Sequence, residues 1–296
     1  MRDDSNHHNK RAYYVKRAGE YTGRLSVNWR AWYQPVLMDP RVYELMADTE
    51  DRHWWWSGRR SILAAVLDDL FEDGSLPHGR LFDLGCGSGS NLSVLEKFGQ
   101  VVGIDGSPLA VETAHRRGRA AVKLVDLSAG IGALREYEPG SASLVLFADV
   151  LEHLDDEGPA LAIADHLLAP GGALVVTVPA FPFLWGPADD FNHHRRRYSR
   201  SALTRTIQSR FQVTRTSYFN CLLFPPIAAA RSLQNLLHRS GGAEAELPGR
   251  AVNAALRAVF SAEARLLRRA NLPFGVSLLC VARKAELEAG RPLSSG

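Results

Sequence analysis

The spacing of apolar residues changes period along the chain. From Ser57 onward, Ile62, Leu63, Val66 and Leu70 fall on one helical face that ends near Gly74. Beyond it the apolar residues gather in short runs, and GRLFDLG, VVGID, AAVKLVD, SASLVLFADV and ALVVTVPA read as buried strands. The intervening NLSVLEKFG, SPLAVETAHRRG and GPALAIADHLL read as helices, with APGG as a turn. Ser107 stands at an N-cap, Pro108 at the first helical position and Gly118 at the C-cap. SALTRTIQSR continues as a helix and FQVTRTSYF as a strand. Two helical patterns then span about 222–238 and 250–269, joined by SGGAEAELPG, before a last strand in FGVSLLCVARK. Such alternation of apolar strands with helices predicts a parallel sheet covered on both faces.

Composition narrows the class. The chain has 296 residues, 46% hydrophobic and 23% charged, which is the make-up of a soluble globular protein. A net charge of +3 falls short of the basic footprint of a dedicated nucleic-acid binder. Three cysteines, Cys86, Cys221 and Cys280, are too few and too scattered for a disulfide framework or a zinc cluster, so a reducing cytoplasm is the expected compartment. MRDDSNHHNK lacks the apolar region of a secretory signal. CLLFPPIAAA is about half the roughly 20 residues a membrane-spanning helix needs, and it carries two prolines, so no transmembrane segment is expected. The expected organisation is a disordered tail at 1–11, an aromatic-rich helical cap at 12–78, a core at 79–284 with a helical insertion at 221–272, and a second disordered tail at 285–296. Five of the six tryptophans lie in the cap, at Trp29, Trp32, Trp54, Trp55 and Trp56.

Chemistry enters at LFDLGCGSGSN, where a strand gives way to a helix. Gly85, Gly87 and Gly89 permit close backbone approach, but their GxGxG spacing matches a dinucleotide fingerprint only in part, because Ser90 follows Gly89. A tight strand-to-helix turn is the structural alternative. Asp83 precedes the turn, where its carboxylate can reach a cationic amine, and Asp105 ends the second strand, where an acid can accept both hydroxyls of a ribose. Both could instead serve the following helix as N-terminal charges. Asp126 ends the third strand, at the height of an adenine amino group or as a cap for the segment from Ser128. Cys86 reads as a small residue filling the turn.

Together these stretches resemble the class I S-adenosylmethionine-dependent methyltransferases. DLGCGSG resembles their first motif, GID their ribose motif, VDL their adenine motif and FADVLEHL their fourth-strand motif, over about residues 41–284. The resemblance implies an α/β fold: a Rossmann-like, seven-stranded, mostly parallel sheet with helices on both faces, an N-terminal helical lid, and a helical hairpin inserted before the last strand. It implies S-adenosyl-L-methionine as cofactor, with Asp83, Gly85, Cys86, Gly87 and Gly89 at its methionine part and Asp105 with Gly106 at the ribose. Asp126 with Leu127 would lie at the adenine, and Asp149 in the same set.

The acceptor side is less defined. His153, just beyond the fourth strand, is a candidate general base or a helix-start histidine with a local bond. Asp149, Glu152 and His153 match a metal site in ligand type, but no second cluster supports one, so no metal is expected. NHHRRRYSR lies in the long loop after the fifth strand and overhangs the crevice in this fold. His194 and Tyr198 are its catalytic candidates, and His193 and Arg196 its acceptor contacts. The alternative is that the arginines pair with acids such as Asp189 or Asp190 and pin the loop. RHWWWSGRR offers Trp55, Trp56 and Arg60 to the acceptor, although adjacent tryptophans on a helix cannot all face one way and any of them could simply be packing. With HRRRYS it resembles a group of bacterial methyltransferases of small or lipid-linked metabolites. Val252, Leu256, Val259, Phe260 and Leu267 form an apolar stripe interrupted by Glu263, which predicts a hairpin lining the pocket or a homodimer contact, with peripheral membrane contact as the alternative. The expected function is methylation of a small, hydrophobic or anionic metabolite. The alternatives are a nucleic-acid methyltransferase and a non-catalytic binding module. FADVLEH departs from the Asn/Asp-Pro-Pro-aromatic sequence of enzymes that methylate base amines, which disfavours nucleic acid.

Overall fold

The computed structural model describes residues 49–72, 74–119, 121–134, 136–236 and 247–286. The expectations for the N-terminal tail, Trp29, Trp32 and the end of the chain from 287 lie outside these residues. Everything described belongs to one compact unit, Leu37–Gly296.

A long helix, α1 (Trp54–Glu72), precedes seven strands: β1 (Arg80–Leu84), β2 (Val101–Asp105), β3 (Val122–Leu124), β4 (Ala142–Ala148), β5 (Leu168–Pro179), β6 (Gln212–Phe219) and β7 (Ser277–Arg283). Between them run α2 (Leu92–Leu95), α3 (Pro108–Arg116), α4 (Gly158–Leu167), α5 (Pro187–Phe191), α6 (Arg200–Gln208), α7 (Phe224–Leu236) and α8 (Arg250–Leu267). The strands form one sheet in the order β3-β2-β1-β4-β5-β7-β6, with β7 antiparallel to both its neighbours and the rest parallel.

Both faces of the sheet are covered, which explains the unbroken apolar runs. Phe82, Leu84, Val145, Phe147, Leu174 and Val176 point to the face carrying α4 and α6, while Leu81, Leu144, Leu146 and Val175 point to the face carrying α1, α2 and α8. Strands buried on both sides have no polar positions to alternate with. Ser107 caps α3 through Ala110 N at 3.3 Å, and Ser199 caps α6 through Ala202 N at 3.1 Å. APGG is no separate turn. β5 already begins at Leu168, and Gly171, at φ 77°, lets the strand bend where its pairing with β4 changes register.

Helix α8 packs along α1, the most extensive contact between two helices among the described residues. A Cβ on Gly58 would run into the Phe260 ring, so that ring packs onto the α1 backbone as only glycine allows. Asn253 Oδ1 accepts from Trp54 N at 2.9 Å, and the Ser61 and Ser261 hydroxyls meet at 3.2 Å. The α8 stripe divides. Phe260 and Leu267 are buried against α1, whereas Val252 and Val259 are exposed. Glu263 breaks the stripe because its carboxylate accepts Cys221 N at 2.9 Å and Leu222 N at 2.7 Å just ahead of α7. The expected hairpin is thus corrected: the partner of α8 is α1, while α7 lies against the turn Pro182–Leu184. Among the described residues no helix is long and apolar enough to cross a membrane.

Candidate functional site

The five parallel strands end on one edge of the sheet, at Leu84, Asp105, Leu124, Ala148 and Pro179, and the antiparallel pairing brings Phe219 and Ser277 to the same edge. β1 lies between β2 and β4, so the order of strands reverses there and opens a crevice outside their carboxyl ends.

The glycine turn forms one wall. Gly85, Gly87 and Gly89 have φ of 80°, 57° and 80°. A Cβ on Gly87 would meet nothing within 4 Å, so the turn is open at that point. Asp105 braces it: its two carboxylate oxygens accept Gly87 N and Ser107 N, each at 2.8 Å, across Gly106. Each oxygen keeps a lone pair for a further donor. Asp83 is 0% exposed and neither of its oxygens has a hydrogen-bond partner. Burial pushes its carboxyl up to about 7; Arg59 and Asn91 pull it back only in part, and Asp105 adds to the rise. The Cys86 side chain enters the core, where burial, with Asp83 and Asp105 nearby, drives its thiol well above the usual range. Asp126 is exposed and caps the turn Leu127–Ala129, accepting Ser128 N at 2.8 Å and Ser128 Oγ at 2.7 Å, while Leu127 is buried.

Two features of this wall escaped sequence reasoning. Arg59 of α1 pairs with Asp149, whose backbone is left-handed at φ 58° and whose other oxygen accepts Thr177 Oγ1 at 3.2 Å. Glu50, just ahead of α1, takes the Ser88 hydroxyl of the glycine turn and the Arg117 guanidinium, closing that segment onto the turn. The only signal was the arginine pair after the tryptophans. Arg60, the acceptor candidate of that pair, instead donates to Glu50 O at 3.0 Å. Trp55 lies 5.4 Å from the Phe260 ring, and Trp56 is edge-on to His53 at 4.8 Å, so both rings have packing partners.

The loop after β5 forms the opposite wall, and its arginines pin it. Arg195 N donates to Glu152 O at 2.7 Å. Arg196 reaches Glu157 Oε1, Leu154 O and Asp155 O at 2.8, 2.9 and 2.8 Å, so its guanidinium is engaged by protein rather than left for an acceptor. Arg197 binds Asp189 Oδ1 at 2.8 Å and Ala180 O at 2.9 Å. The Tyr198 hydroxyl donates to Glu157 Oε1 at 2.7 Å, and burial together with that bond raises it above the usual phenol range.

Pinned in this way, the loop delivers His194. His193, at φ 55°, makes the bend into it. His194 Nδ1 lies 2.8 Å from Asp189 Oδ1, and because a carboxylate only accepts, Nδ1 carries the proton and Nε2 is the remaining ring nitrogen. Burial alone would raise Asp189, but the His194 bond and the Arg197 and Arg231 charges hold it below the usual carboxylate range. The His194 ring meets His153 edge-on, with centroids 4.8 Å apart. His153 Nδ1 is buried without a partner, and burial, then His194, His193 and Arg195, lowers its imidazole to about 3. Beside it Glu152 is 0% exposed with both oxygens unpartnered, and burial followed by the Asp149 charge drives its carboxyl well above the usual range. One donor atom from each of Glu152, His153 and His194 lies within 4.8 Å of the others. Val150, two residues before Glu152, fills the space over Gly85, so the cluster adjoins the glycine turn.

Residues 82–176 match the family described as "Methyltransferase domain". The chain is 37% identical over 124 residues to an "Uncharacterized 37.1 kDa protein in transposon TN4556" of Streptomyces fradiae, covering 40% of this chain and 35% of that protein. It is 30% identical over 131 residues to a "Ubiquinone biosynthesis O-methyltransferase" of Xanthomonas campestris pv. campestris, covering 42% of this chain and 55% of that one. The chain thus spans about half the length, or less, of these curated relatives. Among solved structures, a chain from the complex of the Haloferax volcanii Trm112 methyltransferase activator superposes with a TM-score of 0.50 at 18% identity, covering 88% of this chain and 98% of that one; this shows a shared fold.

Proposed function

We propose that this chain, which matches a methyltransferase domain over residues 82–176, moves a methyl group from S-adenosylmethionine to a hydroxyl oxygen of a small, largely apolar acceptor. The cofactor residues fit the group: an orphaned buried carboxylate at Asp83, an open turn at Gly87 and a braced acid at Asp105 stand along one crevice. Asp83 would take the cofactor's ammonium, Arg59 its carboxylate and Asp105 its ribose hydroxyls, with Leu127 and Asp126 at the adenine. When bound there, S-adenosylmethionine supplies an electrophilic methyl on a sulfonium.

The observation that carries the oxygen acceptor is the cluster of Glu152, His153 and His194 beside the glycine turn. An acceptor hydroxyl must lose a proton, whereas a neutral amine need not before attack, and a set of buried proton-handling groups is what a hydroxyl requires. Transfer forms one O–C bond and breaks one C–S bond, whose electron pair stays with sulfur. The acceptor's proton is released at the cluster. The rest is alignment and exclusion of water, which the pinned loop and the Glu50 closure serve. Phe181, Phe183, Phe224, Phe274 and Tyr218 form a chain of ring contacts on the same edge, with Phe183 65% exposed, and this supports an apolar acceptor. The relatives named as ubiquinone biosynthesis O-methyltransferases agree with it.

The test is incubation with methyl-labelled S-adenosylmethionine and a host extract, partitioned into organic, aqueous and nuclease-released fractions. Label in the organic phase is the expected result, and its loss with Asp105→Ala, through cofactor affinity, ties it to this site. Label released by nuclease overturns the acceptor class. Absence of S-adenosylhomocysteine binding by calorimetry overturns the whole reading.

A further inference from the structure

We propose that Glu152, His153 and His194 form a binding site for a divalent transition-metal ion, at which the acceptor oxygen is ionised; the acceptor role rests on the reading above, the metal site does not.

Three observations lead to it. The first is unsatisfied donors. Glu152 is fully buried with neither oxygen partnered, and the adjacent His153 Nδ1 is buried and unpartnered as well. If Glu152 simply kept a proton, its O–H would be expected to bond a neighbouring imidazole, yet neither oxygen does so. Burying a carboxyl without a partner is costly, and a cation satisfies the carboxylate and both imidazoles at once.

The second is orientation. His194 comes from a different segment and is aimed by Asp189, whose Oδ1 holds Nδ1 at 2.8 Å and is itself held by Arg197 Nε at 2.8 Å. A carboxylate behind the outer nitrogen of an imidazole is the usual support of a metal-bound histidine, since it fixes the tautomer and raises the ring's basicity. The loop is pinned against the same carbonyls that flank Glu152, through Arg195 N on Glu152 O and Arg196 on Leu154 O.

The third is geometry. The three donor atoms lie within 4.8 Å of one another. A tetrahedral ion with bonds of about 2.1 Å keeps its ligands about 3.4 Å apart, so side-chain rotation of roughly 1 Å closes the set. Two imidazoles and one carboxylate suit zinc, iron, cobalt or nickel rather than magnesium or calcium, which prefer all-oxygen sets. Three protein ligands leave a position open. With Glu152 ionised and both imidazoles neutral, a divalent ion leaves one positive charge, which an acceptor alkoxide or phenolate neutralises. The proton passes to water and nothing is oxidised or reduced.

Tag-free protein, stripped with a chelator and dialysed, is titrated with Co2+ and with Zn2+, following visible d–d absorption for cobalt and calorimetry for both. The expected result is one ion per chain, bound at least tenfold more weakly by Glu152→Gln and by His194→Ala. Asp189→Asn keeps all three ligands and weakens binding by about 10- to 100-fold. S-adenosylhomocysteine affinity within threefold of wild type certifies each variant's fold, and His194→Gln replaces any alanine variant that fails this. Wild-type protein that takes up neither ion, or variants that bind as tightly as wild type, overturn the site. Metal uptake by a wild-type protein that binds no S-adenosylhomocysteine upholds the site and overturns the methyltransferase reading instead.

Discussion

Asp83, the residue proposed to take the cofactor's ammonium, opposes folding while nothing is bound there. In the folded, cofactor-free protein it keeps its proton up to about pH 7, whereas the unfolded chain releases it near the model-peptide value of 3.8. The unfolded state binds fewer protons across that interval, so Asp83 makes the protein less stable as pH rises from about 4 to 7, and the loss levels off above 7. Three pH units correspond to at most about 4 kcal/mol. Asp83→Asn is therefore expected to melt several degrees above wild type at pH 8, by an amount that shrinks toward pH 4, while losing at least tenfold in S-adenosylhomocysteine affinity. Scanning calorimetry across pH with a calorimetric titration checks both halves. A variant that melts lower than wild type at pH 8 would show that Asp83 has a partner in the folded state. The motif made this residue legible, because it lies two positions before the first glycine. Arg59 was not legible, since nothing local separates it from Arg60; only the direction of α1 over the crevice decides that one meets Asp149 and the other the backbone of Glu50.

Among the elements, those set by local pattern are mostly legible in the sequence, APGG being the exception because it continues β5, and those set by distant partners are not. The strands of the sheet and the Ser107 cap follow from patterns a few residues long. The half of the site built on single strand-to-helix turns was legible for the same reason. The other half joins α1, the segment after β4 and the loop after β5, and its order depends on Asp189, which gathers His194, Arg197, Arg231 and Gly186 N around one buried carboxylate. No spacing rule links those positions. The partner of α8 was missed likewise, because Gly58 reads as an ordinary helix glycine until Phe260 is placed against it. Gly58→Ala is expected to force the two helices apart at a cost of about 1–3 kcal/mol. That corresponds to a fall in Tm of several degrees with S-adenosylhomocysteine affinity little changed; an unaltered Tm would mean that the helices separate freely.

At the scale of the whole molecule, charge decides which partners are excluded. A net charge of +3 is small, and of the most basic stretch, Arg196 and Arg197 are engaged by Glu157 and Asp189 while Arg195 pairs with Asp155 at the surface. Polynucleotide is accordingly expected to bind weakly, without the steep fall in affinity with salt that several phosphate contacts give. Fluorescence anisotropy with labelled single-stranded RNA at 50 and 200 mM salt measures this, and a change of a hundredfold or more would return the arginine run to the nucleic-acid reading. The contact between α1 and α8 carries a further consequence, for synthesis. Ser61 and Ser261, which share a hydrogen bond across it, are 200 residues apart. At roughly 5–20 residues per second a ribosome needs about 10–40 s to make that interval. For all that time α1 has been translated and the surface it is built to meet does not exist, so a nascent chain stalled before residue 250 carries Trp54 and Trp55 without their Phe260 cover.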